Sequence, residues 1–330
     1  MKFRSKTISI TGIGGFIGSR LAELALAKGY KVQGLESNQE RAYQLQTKLK
    51  IPIILGSVTD LKSIQASIDG ADVVVNTAAI VRESGDWNLF RKVNVEAPCN
   101  IAKELAKKRG KKFIHLSSVM VYGFDYVKNI SEEGQLKGEN NPYCTTKIES
   151  EAKLLSQKYE NKLDLIILRP GDVTGPHSVP WLERILKLNR LGLFYLANGG
   201  KGTMNFTYVD NLCHAILLCI EKTPKSKVFN VTDDNPITWK EYFTTILTMD
   251  AQKAPRSLPD WMLRPIVRYS APILSLLLKE DLVSEEGINF ILRPHPVSTD
   301  RLKKELGFKV VVGKEEAYQK IKSYIESKKK

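Results

Sequence analysis

Thr7-Ile8-Ser9-Ile10-Thr11-Gly12-Ile13-Gly14-Gly15-Phe16-Ile17-Gly18-Ser19-Arg20-Leu21-Ala22-Glu23-Leu24-Ala25 is the stretch that decides how this chain folds. A β-branched run, a glycine-rich turn and an apolar-periodic segment follow one another, predicting a strand, a tight turn and a helix. Gly12, Gly15 and Gly18 fall in the pattern G-x-x-G-x-x-G. Glycines at such a turn let the backbone approach a diphosphate, and the helix N-terminus adds unpaired N–H groups and a positive dipole end. The expected ligand is a dinucleotide.

Outward from this stretch, strand and helix patterns alternate. Apolar runs at 7–11, 31–36, 51–55, 73–77, 112–117 and 163–169 predict strands covered on both faces, hence an α/β fold with a doubly wound parallel Rossmann sheet. A long helix is expected over roughly 87–108, and Asp60 reads as the N-cap of another. After Arg169-Pro170-Gly171, prolines and glycines cut the chain into short pieces. A helix at 209–221 and a strand at 228–232 then return to the sheet. The expected division is an NAD-binding domain at 1–170, to which 203–232 returns, and a smaller discontinuous C-terminal substrate lobe from 171–202 and 233–330.

Bulk properties narrow the classes. The net charge of +14 is spread over helices without aromatic–basic interleaving, which favours a solvated surface attractive to an anionic cofactor over a nucleic-acid partner. Cys99, Cys144, Cys213 and Cys219 form no CxxC pair, and no histidine stands at zinc spacing, so no metal site is expected. Free thiols fit a reducing, cytoplasmic location. Met1-Lys2-Phe3-Arg4 before an apolar run imitates a signal peptide, but the glycine-interrupted segment is too polar for one. No apolar run reaches the roughly 18 residues that a transmembrane helix needs.

Chemistry enters with four side chains. Glu36 closes the second strand, where a carboxylate accepts both ribose hydroxyls and repels a 2′-phosphate. NAD is therefore expected over NADP, although Arg41 in the next helix could meet a 2′-phosphate. Tyr143 and Lys147 are four apart, so a helix started by Pro142 projects both from one face. A free phenol titrates near pH 10, and a neighbouring ammonium brings its phenolate toward the working range. Ser117-Ser118 ends an apolar strand at the edge where open α/β sheets bind ligands, so Ser118 can polarise a substrate oxygen beside Tyr143.

Taken together, these motifs resemble an extended short-chain dehydrogenase/reductase over essentially the full chain. The resemblance rests on Thr11-Gly12-x-x-Gly15-Phe16-Ile17-Gly18, Asp60, Asn76-Thr77-Ala78-Ala79, Val93-Asn94-Val95, Leu116-Ser117-Ser118-x-x-Val121-Tyr122-Gly123, Tyr143-x-x-x-Lys147 and Arg169-Pro170-Gly171-x-x-x-Gly175-Pro176. It implies catalysis by Ser118, Tyr143 and Lys147, with Lys147 also bonding the nicotinamide ribose. It places Phe16 and Ile17 with the glycine turn, Val58 and Asp60 near the adenine, Ala78 near the cofactor, and Pro170 and Gly171 beside the nicotinamide. Asn94 would be a structural or proton-relay residue, and Asn76 departs from the histidine common before the paired alanines. The segments 205–212, 229–234 and 237–239 are similar to the 3β-hydroxysteroid dehydrogenase-like branch, whereas nucleotide-sugar epimerases and dehydratases share the front half.

From 260 to 279, Asp260, Arg264, Arg268, Ala271, Ser275 and Lys279 recur at helical spacing as one narrow stripe on an otherwise apolar segment, which Pro265 and Pro272 should kink or split. Segment 259–279 either packs on the lobe, walls an apolar substrate pocket or makes a peripheral membrane contact. The expected activity is oxidation or reduction of a secondary alcohol or ketone on a hydrophobic, sterol-like or alkyl, small-molecule substrate. Its rivals are a nucleotide-sugar epimerase/dehydratase and a non-catalytic NAD-binding scaffold. A homodimer could form through helices near 87–108 and 143–159.

Overall fold

The computed structural model describes residues 6–82, 85–157, 162–278 and 284–329. Its first half alternates without exception: β1 (Thr7–Thr11), α1 (Phe16–Ala27), β2 (Lys31–Glu36), α2 (Gln39–Leu49), β3 (Ile53–Leu55), α3 (Leu61–Ile68) and β4 (Val73–Asn76). Next come α4 (Trp87–Arg91), a π-turn (Lys92–Glu96) and α5 (Ala97–Ala106), then β5 (Lys111–Leu116), a 3-10 turn (Val119–Tyr122), α6 (Pro142–Ser156) and β6 (Leu163–Pro170). The second half is shorter in its pieces: β7 (Asp172–Thr174), α7 (Arg184–Arg190), β8 (Tyr195–Ala197), β9 (Thr203–Met204), β10 (Phe206–Tyr208), α8 (Val209–Glu221) and β11 (Val228–Val231). It ends with β12 (Ile237–Thr238), α9 (Trp239–Met249), β13 (Arg256–Leu258), α10 (Asp260–Leu278), α11 (Glu285–Leu292), α12 (Asp300–Leu306) and α13 (Lys314–Ser327).

Seven strands form one sheet in the order β3-β2-β1-β4-β5-β6-β11, all parallel. Successive residues of a strand point to opposite faces. Val73, Val75, Ile114, Leu116, Ile166 and Leu168 therefore pack with Leu21, Ala25, Leu212 and Ile216 of α1 and α8. Val74, Phe113, Leu165 and Ile167 pack with Ile64, Ile101 and Leu154 of α3, α5 and α6. The first core runs on without a break to Phe243 of α9 and Ile321 of α13, so the second half is built onto the α8 side of the sheet.

The boundaries of β1, β2 and α8 fall where the sequence puts them. The 87–108 helix is interrupted by its π-turn, which inserts an extra residue and aims Asn94 inward. Asn94 accepts from Ile80 N at 2.9 Å and donates to Ile80 O and to Thr146 Oγ1, both at 3.1 Å, clamping the loop after β4 onto α6. α10 continues through Pro265 and Pro272 rather than splitting there, because each proline deletes only one backbone bond and helix packing supplies the rest. No helix among the described residues is long and apolar enough to cross a membrane. Lys279 and Tyr159 lie outside the described residues.

Gly18 carries a packing demand. A Cβ there would stand 2.5 Å from Gly12 O and 2.9 Å from Ile13 Cα, because α1 begins directly against the turn that feeds it. Gly18→Ala is expected to cost about 1–3 kcal/mol through forced backbone shifts. Urea unfolding measures it, and an unchanged midpoint would show that the turn has room.

Candidate active site

The C-terminal edge of the sheet collects the residues that the sequence singles out. β1 hands the chain to the glycine turn, where Gly15 N donates to Gly12 O at 2.9 Å and Gly12 N donates to Leu35 O at 2.9 Å. α1 opens at Gly15 with no side-chain cap, so its first N–H groups face outward from the turn that carries Phe16 and Ile17. Ala78 lies against Gly12, since a Cβ on that glycine would be 2.8 Å from Ala78 Cα.

Glu36 is buried at the end of β2. Its Oε2 accepts from Gly14 N at 2.8 Å and its Oε1 from Asn38 N at 2.9 Å. Gly14 was not among the glycines picked out by spacing, yet a Cβ there would meet Glu36 Oε2 at 2.4 Å and Arg41 Cβ at 3.1 Å, so any side chain would displace the Glu36 carboxylate. The signal was a third glycine inside the turn opposite a strand-terminal carboxylate. The next loop leaves beside Glu36, with Gly56 N donating to Glu36 O at 2.9 Å, and carries half-buried Val58 and exposed Asp60. Asp60 caps α3, accepting from Ser63 N at 2.9 Å and Ser63 Oγ at 2.6 Å. Those bonds hold its carboxyl below the usual range.

Two strands from β1, β5 ends and Ser118 N-caps the 3-10 turn, accepting from Met120 N at 3.2 Å. Asn141 caps α6 by accepting from Tyr143 N at 3.0 Å and Cys144 N at 3.1 Å, with Pro142 in the first helical turn. That capped first turn brings the Tyr143 phenol close enough to Ser118 for the serine side chain to favour its ionised form. Burial nevertheless pushes the phenol up to about 12, against the pull of Ser118.

Lys147 follows one helical turn later and is buried. Its Nζ donates to Leu116 O at 2.6 Å and stands 5.8 Å from the centre of the Tyr143 ring. Burial lowers its ammonium to about 8, partly offset by Glu151. The sequence led us to expect that Lys147 and the positive nicotinamide ring together would lower the phenol; here the Lys147 ammonium donates to a backbone carbonyl, and burial dominates the phenol's shift. Pro170 ends the neighbouring strand, and Gly171 directly after it donates its N–H to Val231 O at 2.9 Å.

Beneath the site lies a buried polar layer that sequence reasoning missed. His115, fully enclosed, has Nδ1 3.0 Å from Asn76 Nδ2 and Nε2 3.1 Å from Ser150 Oγ. Burial, then the charge of Lys147, drive its pKa well below the usual value, so the ring is neutral. Arg169 binds Glu151 through Nη2 at 2.6 Å and donates to Tyr122 Oη at 2.7 Å. Tyr122 in turn donates to Asn230 at 2.8 Å.

Arg293 is fully buried; its Nη2 reaches the two carboxylate oxygens of Asp172 at 2.7 and 2.6 Å, and its Nη1 lies 3.4 Å from Met120 Sδ. Around this pair stands an aromatic wall: Phe124 meets Phe290 at 5.4 Å, Trp181 meets Phe290 at 5.6 Å, and Trp181 meets Trp239 at 4.7 Å between ring centres. Partners so far apart in sequence leave no local pattern.

A parallel seven-stranded sheet with a glycine turn at its C-terminal edge defines a Rossmann-type α/β enzyme architecture. Residues 8–232 match the NAD dependent epimerase/dehydratase family, and the chain belongs to it. It is 25% identical to human sterol-4-alpha-carboxylate 3-dehydrogenase, decarboxylating, over 96% of this chain and 87% of that one. It is 22% identical to 2-alkyl-3-oxoalkanoate reductase of Shewanella oneidensis over 95% of this chain and 85% of that one. The fold superposes on UDP-glucuronic acid 4-epimerase from Bacillus cereus, solved with UDP-glucuronic acid and NAD, with a TM-score of 0.76 and 19% identity, covering 97% and 99% of the two chains.

Proposed function

We propose that this enzyme interconverts a secondary alcohol and a ketone on a hydrophobic small molecule, using NAD and the side chains of Ser118, Tyr143 and Lys147. The observation that carries the reading is the approach of the Tyr143 phenol to Ser118, with the buried Lys147 ammonium one turn behind them.

The glycine turn fits a dinucleotide: α1 starts without a side-chain cap, and the Glu36 carboxylate lies beside Gly14, where it suits ribose hydroxyls and opposes a 2′-phosphate. Bound NAD supplies the hydride acceptor or donor. As the neutral phenol, Tyr143 gives its proton to a ketone oxygen in reduction, and as the phenolate it takes one from the hydroxyl in oxidation. Ser118 donates to the same oxygen and holds it in place. Lys147 steadies the phenolate left after proton transfer, and Asn94 fixes the helix carrying both through Thr146.

An apolar substrate is supported by Met120, Phe124, Trp181 and Phe290, which cluster on the chain leaving Ser118 and on the facing segments. The names of two relatives, a sterol dehydrogenase and an alkyl-oxoalkanoate reductase, point the same way. A nucleotide-sugar substrate is favoured by the Bacillus cereus likeness. Its diphosphate would need a free cation, however, and the guanidinium behind Met120 is taken by Asp172. A homodimer through α4, α5 and α6 also belongs to this reading.

The test is a panel of sterols, alkyl ketones and UDP-sugars assayed for net NADH formation or consumption. Net turnover with an apolar alcohol or ketone is expected. Turnover confined to UDP-sugars, without net change in NADH, would reject this substrate class in favour of epimerase chemistry.

A further inference from the structure

The polarity of α10 is inverted relative to an ordinary surface helix. Its charged stripe turns toward α11: Arg268 Nε and Nη2 donate to Glu285 at 2.7 and 3.0 Å, and Arg264 donates to Asn289 at 3.0 Å and to Asp260 at 3.4 Å. Leu263 and Val267 are buried against the rest of the chain. The opposite face holds Trp261, Met262, Ile266, Tyr269, Ile273 and Leu276, with Trp261, Tyr269 and Leu276 exposed by 71, 75 and 80%. At 3.6 residues per turn these positions share one side, and Pro265 and Pro272 lie along its edge. Single exposed apolar residues are ordinary, but a contiguous stripe of six marks an interaction site.

We propose that this face seats α10 in the plane of an anionic lipid surface. Three observations favour a lipid surface over a second copy of the chain. First, charge: Lys253 and Arg256 are exposed just ahead of the helix, while Arg264 and Arg268 neutralise Asp260 and Glu285 on the side away from the apolar face. The chain as a whole carries +14. Such a margin complements anionic headgroups and would repel its own copy.

Second, backbone chemistry. Pro265 and Pro272 free the carbonyls of Trp261 and Arg268 from their helical partners. Those oxygens need water or headgroup donors, which an interfacial zone supplies and a dry helix–helix seam does not. Third, side-chain type: Trp261 and Tyr269 combine apolar bodies with polar edges, the form favoured at a bilayer–water boundary. A helix of 19 residues is about 28 Å long and lies on the surface instead of crossing it.

The docking stands on the surface of α10 alone. Its use rests on the proposed function: α10 packs on α11, which contributes Phe290 to the aromatic wall, so a seated helix places the entrance for an apolar substrate next to the bilayer.

The experiment is co-sedimentation of the full chain with vesicles of phosphatidylcholine alone and of phosphatidylcholine with phosphatidylglycerol, at low and high salt. Wild type is expected on the anionic vesicles, with weaker binding as salt rises. Ile266→Asp with Ile273→Asp is expected to weaken binding roughly 100-fold, since two isoleucines lose their apolar contact with the lipid. Both positions are exposed, so circular dichroism and oligomeric state should match wild type. Lys253→Glu with Arg256→Glu should abolish the preference for anionic vesicles while leaving the helix intact. No vesicle binding by wild type, or equal binding by wild type and the isoleucine variant, overturns the proposal. A wild-type dimer that becomes monomeric in the isoleucine variant assigns the face to a second copy and also overturns it. Because sedimentation needs no turnover, a wrong substrate assignment leaves this result standing.

Discussion

Tyr143→Phe is expected to lower kcat by about 10²–10⁴-fold while NAD affinity and the unfolding midpoint stay close to wild type. The substitution removes one oxygen from a half-buried ring that α6 holds in place through Asn141 and Pro142. Nothing in the cap depends on that oxygen, since Asn141 accepts from backbone N–H groups. What disappears is the proton that the phenol, held at about 12, would offer to a carbonyl oxygen beside Ser118. Single-turnover reduction, read as loss of NADH absorbance, separates this loss from slow product release. A variant retaining wild-type kcat would remove Tyr143 from the proton path. A collapse of cofactor affinity would instead make its role one of shaping the site.

Asp172→Asn is expected to destabilise the fold by about 3–5 kcal/mol, the usual consequence of leaving one member of a buried pair charged and alone. Arg293 is fully enclosed, and Asp172 is the carboxylate it binds. The pair ties β7, directly after Gly171, to the segment following α11, and Asp172 also accepts from Asn205 N at 2.8 Å. Replacing both members, Asp172→Asn with Arg293→Met, should recover most of the loss because no uncompensated charge remains. Equilibrium urea unfolding of the three proteins decides it. If the single and double variants were equally unstable, lost packing would be the cause, not the stranded charge.

The sheet was legible because local signals agreed. Residues 7–36 state a strand, a turn, a helix and a second strand through β-branching, glycine and apolar period, and the structure keeps those bounds. Asp60 and Asn141 occupy cap positions that their residue types favour, although only Asp60 was read as one. The proximity of Ser118 and Tyr143 followed from placing a strand end and a helix start on the same edge.

What escaped depends on partners distant in sequence. Glu36 approaches Gly14, His115 lies between Asn76 and Ser150, and Arg293 reaches back to Asp172. Each of these bonds is settled by packing, for which a single sequence carries no period. The charged stripe of α10 was visible, but its inward direction was not, because Glu285 and Asn289 arrive from a separate helix.

The π-turn at Lys92–Glu96 has a bearing on which length changes this chain tolerates. Between Trp87 and Ala106 the spare residue sets the angular phase of everything after it. Excising it would rotate α5 by roughly 100° relative to α4. Asn94 would leave Ile80, and Ile101 and Leu105 would swing out of their core. Side-chain exchange there can be absorbed locally, whereas a one-residue deletion is felt along the whole helix.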